Sequence, residues 1–359
     1  MIFEPTLTGH HLEYLHHLHT GAAKHHQRNF VFAVPKSFDS VKDKFSWQEA
    51  QNIEFHFIDD VLLGSKLSTI RQLIRAYRTH HPAEIFFITI MCFMPILMLF
   101  SLTSVKLSGI IYNIYLYGWK TSSFASKAKN AILYALFTHC RCFKHIFILN
   151  DRSATAVLNK VWHTCKYVYL PDPFVPIASD NITNLRTQLG IDNGKKVFLH
   201  FGAMSARKGT LDVFRMIENT STADLQNYCV IFAGKVGNDI NQQFYTNYNR
   251  WKDKIQIIVE DAFVDYERIG SMLITCDAVL LPYKYVNLSS GVIGYCAQFG
   301  KPAIATSKGL IGKLVRKNKL GITIDDFNTL NGFDFTPHTN RYCIERTVDK
   351  FAQTIIALF

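Results

Sequence analysis

The eight cysteines of this chain repeat no spacing, and its opening, Met1-Ile2-Phe3-Glu4-Pro5, lacks the basic-then-apolar layout of a signal peptide. Together these absences argue against a disulfide-stapled secreted scaffold and predict reduced thiols in a cytoplasmic protein. Cys140 and Cys142 share one face of an extended segment and have no partner pair, so no metal site is expected there. Charge is sparse as well. Only 19% of residues are charged against 48% hydrophobic, which excludes a disordered chain. No RNP-type, zinc-finger or arginine-rich signature is present, so nucleic acid is not an expected partner. No internal repeat or low-complexity tract interrupts the sequence. One stretch, Ile85 to Leu102, is free of charge over 18 residues. Pro95 and the turn-like Thr89 to Met94 divide it into a buried strand, Glu84 to Ile90, and a short buried helix, with a membrane anchor as the alternative.

What is present fits two domains. At 359 residues and 41.1 kDa the chain is about twice the usual size of one compact domain. Its 28 Phe and 16 Tyr supply large side chains for two cores. The net charge is +11, and from Met1 to Leu170 there are 18 Lys and Arg against 10 Asp and Glu, a net of +8. A basic N-terminal half suits anionic lipid headgroups or a diphosphate-bearing acceptor.

Short apolar runs alternate with segments at helical spacing. In the first half the runs are Ile2 to Glu4, Phe30 to Val34, Ile53 to Ile58, Ile85 to Ile90, Gly109 to Tyr115, His145 to Leu149 and Tyr167 to Leu170. Between them, Leu67 to Thr79 places Ile70, Leu73, Ile74 and Tyr77 on one helical face. This is the pattern of a parallel sheet wrapped by helices. Pro171-Asp172-Pro173, Pro176 and the polar residues up to Lys196 mark a connection between domains. The rhythm then restarts with Val197 to Phe201, Cys229 to Ala233, Ile255 to Val259, Ala278 to Leu281 and Ala303 to Ala305. Two such domains place a cleft at the carboxyl ends of both sheets.

Two strand-to-helix turns of the second half carry anion-binding chemistry. Phe201-Gly202-Ala203-Met204-Ser205-Ala206-Arg207-Lys208-Gly209 combines a tight-turn glycine, a hydroxyl at Ser205 and two cations, Arg207 and Lys208, before a helix starting near Thr210. A solvated basic turn is the alternative. Leu288-Ser289-Ser290-Gly291-Val292-Ile293-Gly294 offers Ser289, Ser290 and Gly291 at a second helix start, with a simple serine cap as the alternative. In the first half, Gly9 and His10 of Thr8-Gly9-His10-His11 lie between the first strand and the first helix. A residue without Cβ lets the backbone approach a ligand closely there, and the ring of His10 can assist. His16 and His19 are spaced for one helical face, yet no carboxylate or cysteine completes a metal set, and partly exposed helical histidines are expected.

The order Gly202 to Gly209, Ala233-Gly234-Lys235, Asp277 to Tyr283 and Gly300-Lys301-Pro302-Ala303-Ile304-Ala305-Thr306 resembles the retaining family-4 glycosyltransferases. The likeness covers about Lys196 to Asp325, while the N-terminal half matches in rhythm and in its Thr8-Gly9-His10 loop. The chain also departs from that family. Where the family has two glutamates eight positions apart, one touching the donor sugar and one the ribose, this chain has Asn287 and Tyr295, which can still hydrogen-bond hydroxyls. Ala203 stands where the family has an arginine, with Arg207 as its substitute. The family's second helper, a histidine after a middle strand of the first domain, has no counterpart in Ile111 to Gly118. Tyr115 and Tyr117 lie there instead, with aromatic core packing as the expected role.

The resemblance implies a GT-B fold, two doubly wound Rossmann-like α/β domains. The expected layout is an acceptor-binding domain over 1–170, a linker over 171–195, a nucleotide-sugar-binding domain over 196–344, and a helix over 345–359 packing back toward the first domain. The implied activity is glycosyl transfer with retention, from a nucleotide-sugar to a saccharide or lipid-linked acceptor in cell-surface polysaccharide synthesis. Lys208, Arg207 and His10 are the candidate catalytic residues; Gly9, Gly202, Ser205, Lys235, Asn287, Ser289, Ser290, Gly291 and Tyr295 are the candidate donor-binding ones. The diphosphate is held by cations, so no metal or other cofactor is expected. The expected location is cytoplasmic, with possible peripheral contact to an anionic membrane face. A catalytically silent nucleotide-sugar binder is the alternative function.

Overall fold

The computed structural model describes residues 1–60, 65–112, 115–118, 122–285, 287, 289–336 and 342–359. The chain divides into two compact units, Met1–Pro173 with Arg346–Phe359, and Phe174–Glu345.

The first unit runs β1 (Ile2–Phe3), α1 (His10–Ala23), β2 (Phe30–Pro35), β3 (Ile53–Ile58), α2 (Lys66–His80), β4 (Glu84–Phe87), β5 (Lys106–Ile111), α3 (Phe124–His139), β6 (Phe143–Leu149), α4 (Arg152–Val161) and β7 (Tyr167–Leu170). Its strands form one parallel sheet in the order β3-β2-β1-β4-β5-β6-β7. Because side chains alternate along a strand, each face of the sheet has its own core. Phe3, Phe87, Ile146 and Ile148 join Leu73 and Phe137 on one face. Ile2, Phe32, Phe86 and Phe147 join Leu15 and Leu18 on the other.

The second unit runs β8 (Lys196–Phe201), α5 (Thr210–Glu218), α6 (Thr222–Leu225), β9 (Tyr228–Ala233), α7 (Asn241–Trp251), β10 (Gln256–Glu260), α8 (Tyr266–Thr275), β11 (Ala278–Leu281), α9 (Val292–Gln298), β12 (Ala303–Thr306), α10 (Gly309–Lys317) and β13 (Gly321–Ile324). Its parallel sheet has the order β10-β9-β8-β11-β12-β13. The short edge strand β13 pairs with β12 from Ala303↔Gly321 to Thr306↔Ile324 and was not legible in the sequence.

The last helix, α11 (Val348–Ile356), belongs to the first unit. It lies so close to α1 that a Cβ on Gly21 would come within 2.5 Å of Ala352 Cβ. Phe351, Ile355 and Ile356 complete the same core as Leu15 and Leu18.

Three expectations need correction. Most of the proposed linker is packed structure: only 171–173 stay with the first unit, and the rest belongs to the second. Phe174, Ile177, Leu185 and Ile191 are buried. Gln298 grips the backbone of Ile177 on both sides, accepting from its N–H at 3.0 Å and donating to its carbonyl at 2.7 Å. Apolar residues among the prolines and asparagines decide this, since each has a core to enter. In the uncharged stretch the strand stops at Phe87, and two 3-10 segments, Ile90–Phe93 and Ile96–Leu102, replace the short helix. Among the described residues no helix is long and apolar enough to cross a membrane. The helical histidines are also more enclosed than expected. His17 and His19 are buried, with the His19 ring against Phe32, Trp47 and Phe55.

Candidate functional site

In each unit the strand order reverses beside the first strand, between β1 and β4 and between β8 and β11. Open α/β sheets bind ligands outside the carboxyl ends of the strands at such switch points. In the second unit the loops leaving β8 and β11 are the two turns singled out in the sequence.

The β8 loop is a rigid, glycine-dependent turn. Gly202 has φ +92° and Gly209 has φ +68°, and a Cβ on Gly209 would overlap the carbonyl oxygen of Pro282. Ser205 caps the 3-10 turn Ala206–Lys208 by accepting from the Lys208 N–H. The β9 loop braces it: Met204 N–H donates to Lys235 O at 2.9 Å, and Gly237 N–H to Met204 O at 2.8 Å. Asp239 Oδ2 accepts from Ala206 N–H at 2.9 Å.

The cations around this loop differ in what neutralises them. Lys235 is 70% exposed and pairs with Asp261 at 3.2 Å. Lys284 is paired with Asp212. Arg207 and Lys208 are half-buried, and neither has a carboxylate partner among the described residues. Lys208 Nζ instead lies 3.4 Å from the carbonyl oxygen of Phe201 and 5.6 Å from the centre of the Tyr283 ring. Two unneutralised cations ahead of a helix start can take a diphosphate, Arg207 through its planar fork and Lys208 as a point charge.

Tyr283 joins the two turns. Its ring faces Lys208, and its hydroxyl is 3.1 Å from Ser290 Oγ. Ser290 Oγ also accepts from Val292 N–H at 3.3 Å. Gly291 occupies the cap position of α9 with no side-chain bond, and Ser289 precedes it, half-buried. Leu288, the first residue of that motif, lies outside the described residues. Asn287 Oδ1 is buried with no hydrogen-bond partner. Tyr295 packs its ring against Phe174 at 5.2 Å and Tyr266 at 6.2 Å. The structure thus brings Gly202, Ser205, Arg207, Lys208, Lys235, Ser290 and their neighbours into one set of loops.

His200 and Thr210 support these loops and were missed in the sequence. His200 is buried at the end of β8, 3.0 Å from Leu280 O through Nδ1 and 3.0 Å from Thr210 Oγ1 through Nε2. A carbonyl only accepts, so Nδ1 carries the proton, Nε2 accepts from the Thr210 hydroxyl, and Thr210 Oγ1 accepts from Ser205 N–H at 3.1 Å. Burial lowers the His200 pKa to about 4, so the ring is neutral. The chain of bonds ties β11 through β8 to the first residue of the cation turn. No local pattern announces it, because His200 and Thr210 are ten positions apart and flank the motif.

In the first unit, Gly9 has φ +61° and opens α1 with no side-chain cap. His10 keeps an exposed edge and packs against His11 at 4.7 Å, Tyr112 at 4.8 Å and Tyr14 at 5.3 Å. Its packed side lowers its pKa to about 4. Beneath it His11 Nδ1 lies 3.0 Å from the buried carboxylate of Glu4, whose pKa burial raises. Asn113 and Ile114 lie outside the described residues, as does the Tyr115 side chain. Tyr117 donates to Asp151, which also caps α4 through Ser153 and Ala154 N–H. Tyr117 is therefore a structural tether. Among the described residues no group of three or more His, Cys, Asp or Glu could hold a metal ion.

Two parallel units of this order make the GT-B fold. HepE from Anabaena, solved in complex with UDP and glucose, matches with a TM-score of 0.63 at 16% identity, covering 99% of this chain and 94% of its own. WaaG, a glycosyltransferase involved in lipopolysaccharide biosynthesis, gives 0.60 at 12% identity over 100% and 90%. Sucrose-phosphate synthase from Thermosynechococcus elongatus gives 0.63 at 12% over 100% and 94%. No family model matches the chain, and no curated protein matches it in sequence.

Proposed function

We propose that the chain is a glycosyltransferase that moves a sugar from a nucleotide diphosphate sugar to a saccharide or lipid-linked acceptor, with retention, in cell-surface polysaccharide synthesis. The observation that carries this reading is the Arg207-Lys208 pair, half-buried and without a carboxylate partner at the carboxyl end of β8. Cations so placed bind the diphosphate and stabilise the charge that builds on it as the glycosidic bond breaks, which is the part that accelerates chemistry. Asn287 and Ser290 meet the sugar and phosphate oxygens, and the Gly9-His10 loop approaches the donor diphosphate and the acceptor. The likeness of the fold to HepE, solved with UDP and glucose, supports a uridine nucleotide as the first donor to try.

A thermal-shift screen with UDP, GDP, CDP, ADP and dTDP, with and without magnesium, tests it. One nucleotide should raise Tm without metal, by an amount set by its concentration over its Kd. No shift from any of them sinks the donor site. Chelation by EDTA should leave turnover unchanged, since protein cations carry the charge.

The lipid-linked acceptor is motivated by the net +8 of residues 1–170 and by Leu102 and Phe124, which are 89% and 86% exposed in the same unit. Lys127 and Lys129 follow Phe124 on α3. Absence of binding to anionic liposomes at low salt would remove the membrane part. A silent nucleotide-sugar binder is the second reading, favoured by Asn287 and Tyr295 in place of two carboxylates. Such a protein would bind nucleotide but never hydrolyse or transfer donor.

A further inference from the structure

The amino end of the first unit's sheet, opposite the loops described above, holds a pair of thiols that the proposed reaction does not use. Cys140 closes α3 and Cys142 directly precedes β6, with Arg141 between them in the turn. Their sulfurs lie 3.8 Å apart. Ser101, from the 3-10 segment Ile96–Leu102, reaches both: its Oγ is 2.9 Å from Cys140 Sγ and 3.3 Å from Cys142 Sγ. Cys142 Sγ lies 3.9 Å from the carbonyl oxygen of Leu97, to which it donates. With Cys140 donating to Ser101 and Ser101 to Cys142, each bond of the chain has one donor and one acceptor.

The two thiols differ in access and share a basic setting. Cys142 is 2% exposed, and burial pushes its thiol pKa up. Cys140 is half-buried beside an exposed Ser101. Lys166 Nζ donates to Cys140 O at 2.8 Å and Lys106 Nζ to Arg141 O at 3.2 Å, while Arg141 itself is exposed. Burial lowers the Lys166 pKa and the two cysteines oppose that fall, which places its charge within reach of their sulfurs. None of these three cations has a carboxylate partner among the described residues. Cations beside a thiol favour the thiolate, the form that attacks, and draw anionic partners. A structural zinc needs four ligands, and among the described residues no third His, Cys, Asp or Glu completes a set here.

From two neighbouring sulfurs, one accessible and one enclosed, bridged by Ser101 in a cationic turn, we infer that Cys140 and Cys142 form a reversible dithiol–disulfide pair. Its oxidant is an anionic low-molecular-weight disulfide of the glutathione type. The sulfurs must close from 3.8 Å to about 2.0 Å, a movement on the scale of side-chain rotation. The Cys140 thiolate attacks one sulfur of the reagent; that S–S bond breaks, one small thiol leaves, and Cys140 carries a mixed disulfide. Cys142 then gives up its proton and attacks Cys140 Sγ; the mixed bond breaks and the second small thiol leaves. Two cysteines are oxidised by two electrons, the reagent is reduced to two thiols, and the protons lost by the cysteines end on those thiols. Excess small thiol reverses the exchange. Oxidised sulfurs donate no hydrogen bond, so Ser101 loses the bond from Cys140 and Leu97 O the bond from Cys142. Oxidation thereby releases the 3-10 segment from the turn. The pair is remote from the donor loops and independent of the glycosyltransferase reading.

The test exposes the full chain to glutathione disulfide at set ratios to glutathione, then alkylates rapidly and reads each cysteine by mass spectrometry. Exposed Cys92 and Cys165 serve as single-thiol controls that accumulate mixed disulfide. Cys140 and Cys142 should lose alkylation together, with a mass loss of about 2 Da and no bound glutathione. Amides of 96–102 should then exchange hydrogen at least about threefold faster. Cys142→Ser should trap glutathione on Cys140, and Cys140→Ser should leave the enclosed Cys142 unmodified. Added salt should slow the reaction, as for an anion drawn to Lys106, Arg141 and Lys166; a salt-independent rate would remove the anionic class. Mixed disulfide that persists on Cys140 of the parent overturns the inference, as does full alkylation of both cysteines while Cys92 and Cys165 react. Both readings come from the parent chain, whether or not the variants fold. A disulfide formed with no change in exchange over 96–102 would overturn the release of the segment.

Discussion

The loops after β1 and after β8 occupy the same place in two sheets of like topology, and they carry opposite chemistry. Each follows the first strand of its sheet at a switch point, and each needs a glycine at positive φ before its helix, Gly9 at +61° and Gly209 at +68°. After β8 the turn presents two unneutralised cations and is tied down by hydrogen bonds on three sides. After β1 the turn covers a buried carboxylate, Glu4, with a stack of His10, His11, Tyr14 and Tyr112. The fold therefore supplies a place, and the side chains decide whether that place attracts an anion.

The glycines offer the strongest way to break this parallel. Gly209→Val meets both the left-handed backbone and the carbonyl of Pro282, and should cost at least roughly 3 kcal/mol. Gly9→Ala meets nothing within 4 Å and should cost only the roughly 1–3 kcal/mol of a sparsely populated backbone conformation. Denaturant midpoints of the two variants measure the difference; equal losses would mean the loops are equally confined.

His200 gives a pH test of the β8 side. Its pKa falls from the ordinary 6.5 to about 4 on folding, so below pH 6.5 the unfolded chain takes up a proton that the folded one refuses. Its contribution to stability is complete above pH 6.5 and is lost as pH falls through that window toward 4, amounting to about 3 kcal/mol. Unfolding followed at pH 7 and pH 5 should show a smaller pH penalty in His200→Asn than in the parent. An unchanged slope would mean that the ring is not held neutral by burial.

Among the cations, Lys208→Ala should lower kcat/KM roughly 100-fold with little change in Tm, as expected for a charge that acts on the transition state. Lys235→Ala should change it less than about threefold, because an exposed lysine already paired with Asp261 has little charge left to give. Equal losses would erase the distinction between paired and unpaired cations. A modest effect is also expected of Tyr283→Phe. The variant keeps the ring facing Lys208 but loses the bond to Ser290, and nucleotide affinity should fall by about 1 kcal/mol, readable by calorimetry.

Much of the second unit's site was legible because a cation turn is a contiguous sequence of residue types between a strand and a helix. Gly202, Ser205, Arg207, Lys208 and Gly209 lie within eight positions. The parts that were not legible depend on distant pairing. His200 finds Leu280 eighty positions away, and Tyr283 finds Lys208 across the switch point. The first unit's site was harder still, since the meaning of His10 depends on Tyr112 and on the burial of Glu4 beneath it.

The order of apolar runs and helical segments by itself determined two parallel α/β units, because a strand buried on both faces must be apolar throughout and must be returned by a helix. It also determined the glycine turns and their charges, which are local. Only the tertiary structure decided where residues 174–195 belong, and that Lys235 and Lys284 are neutralised while Arg207 and Lys208 are not. Each of those outcomes depends on which side chain comes within a few ångströms of another across the fold, and that distance is set by packing rather than by neighbourhood in sequence.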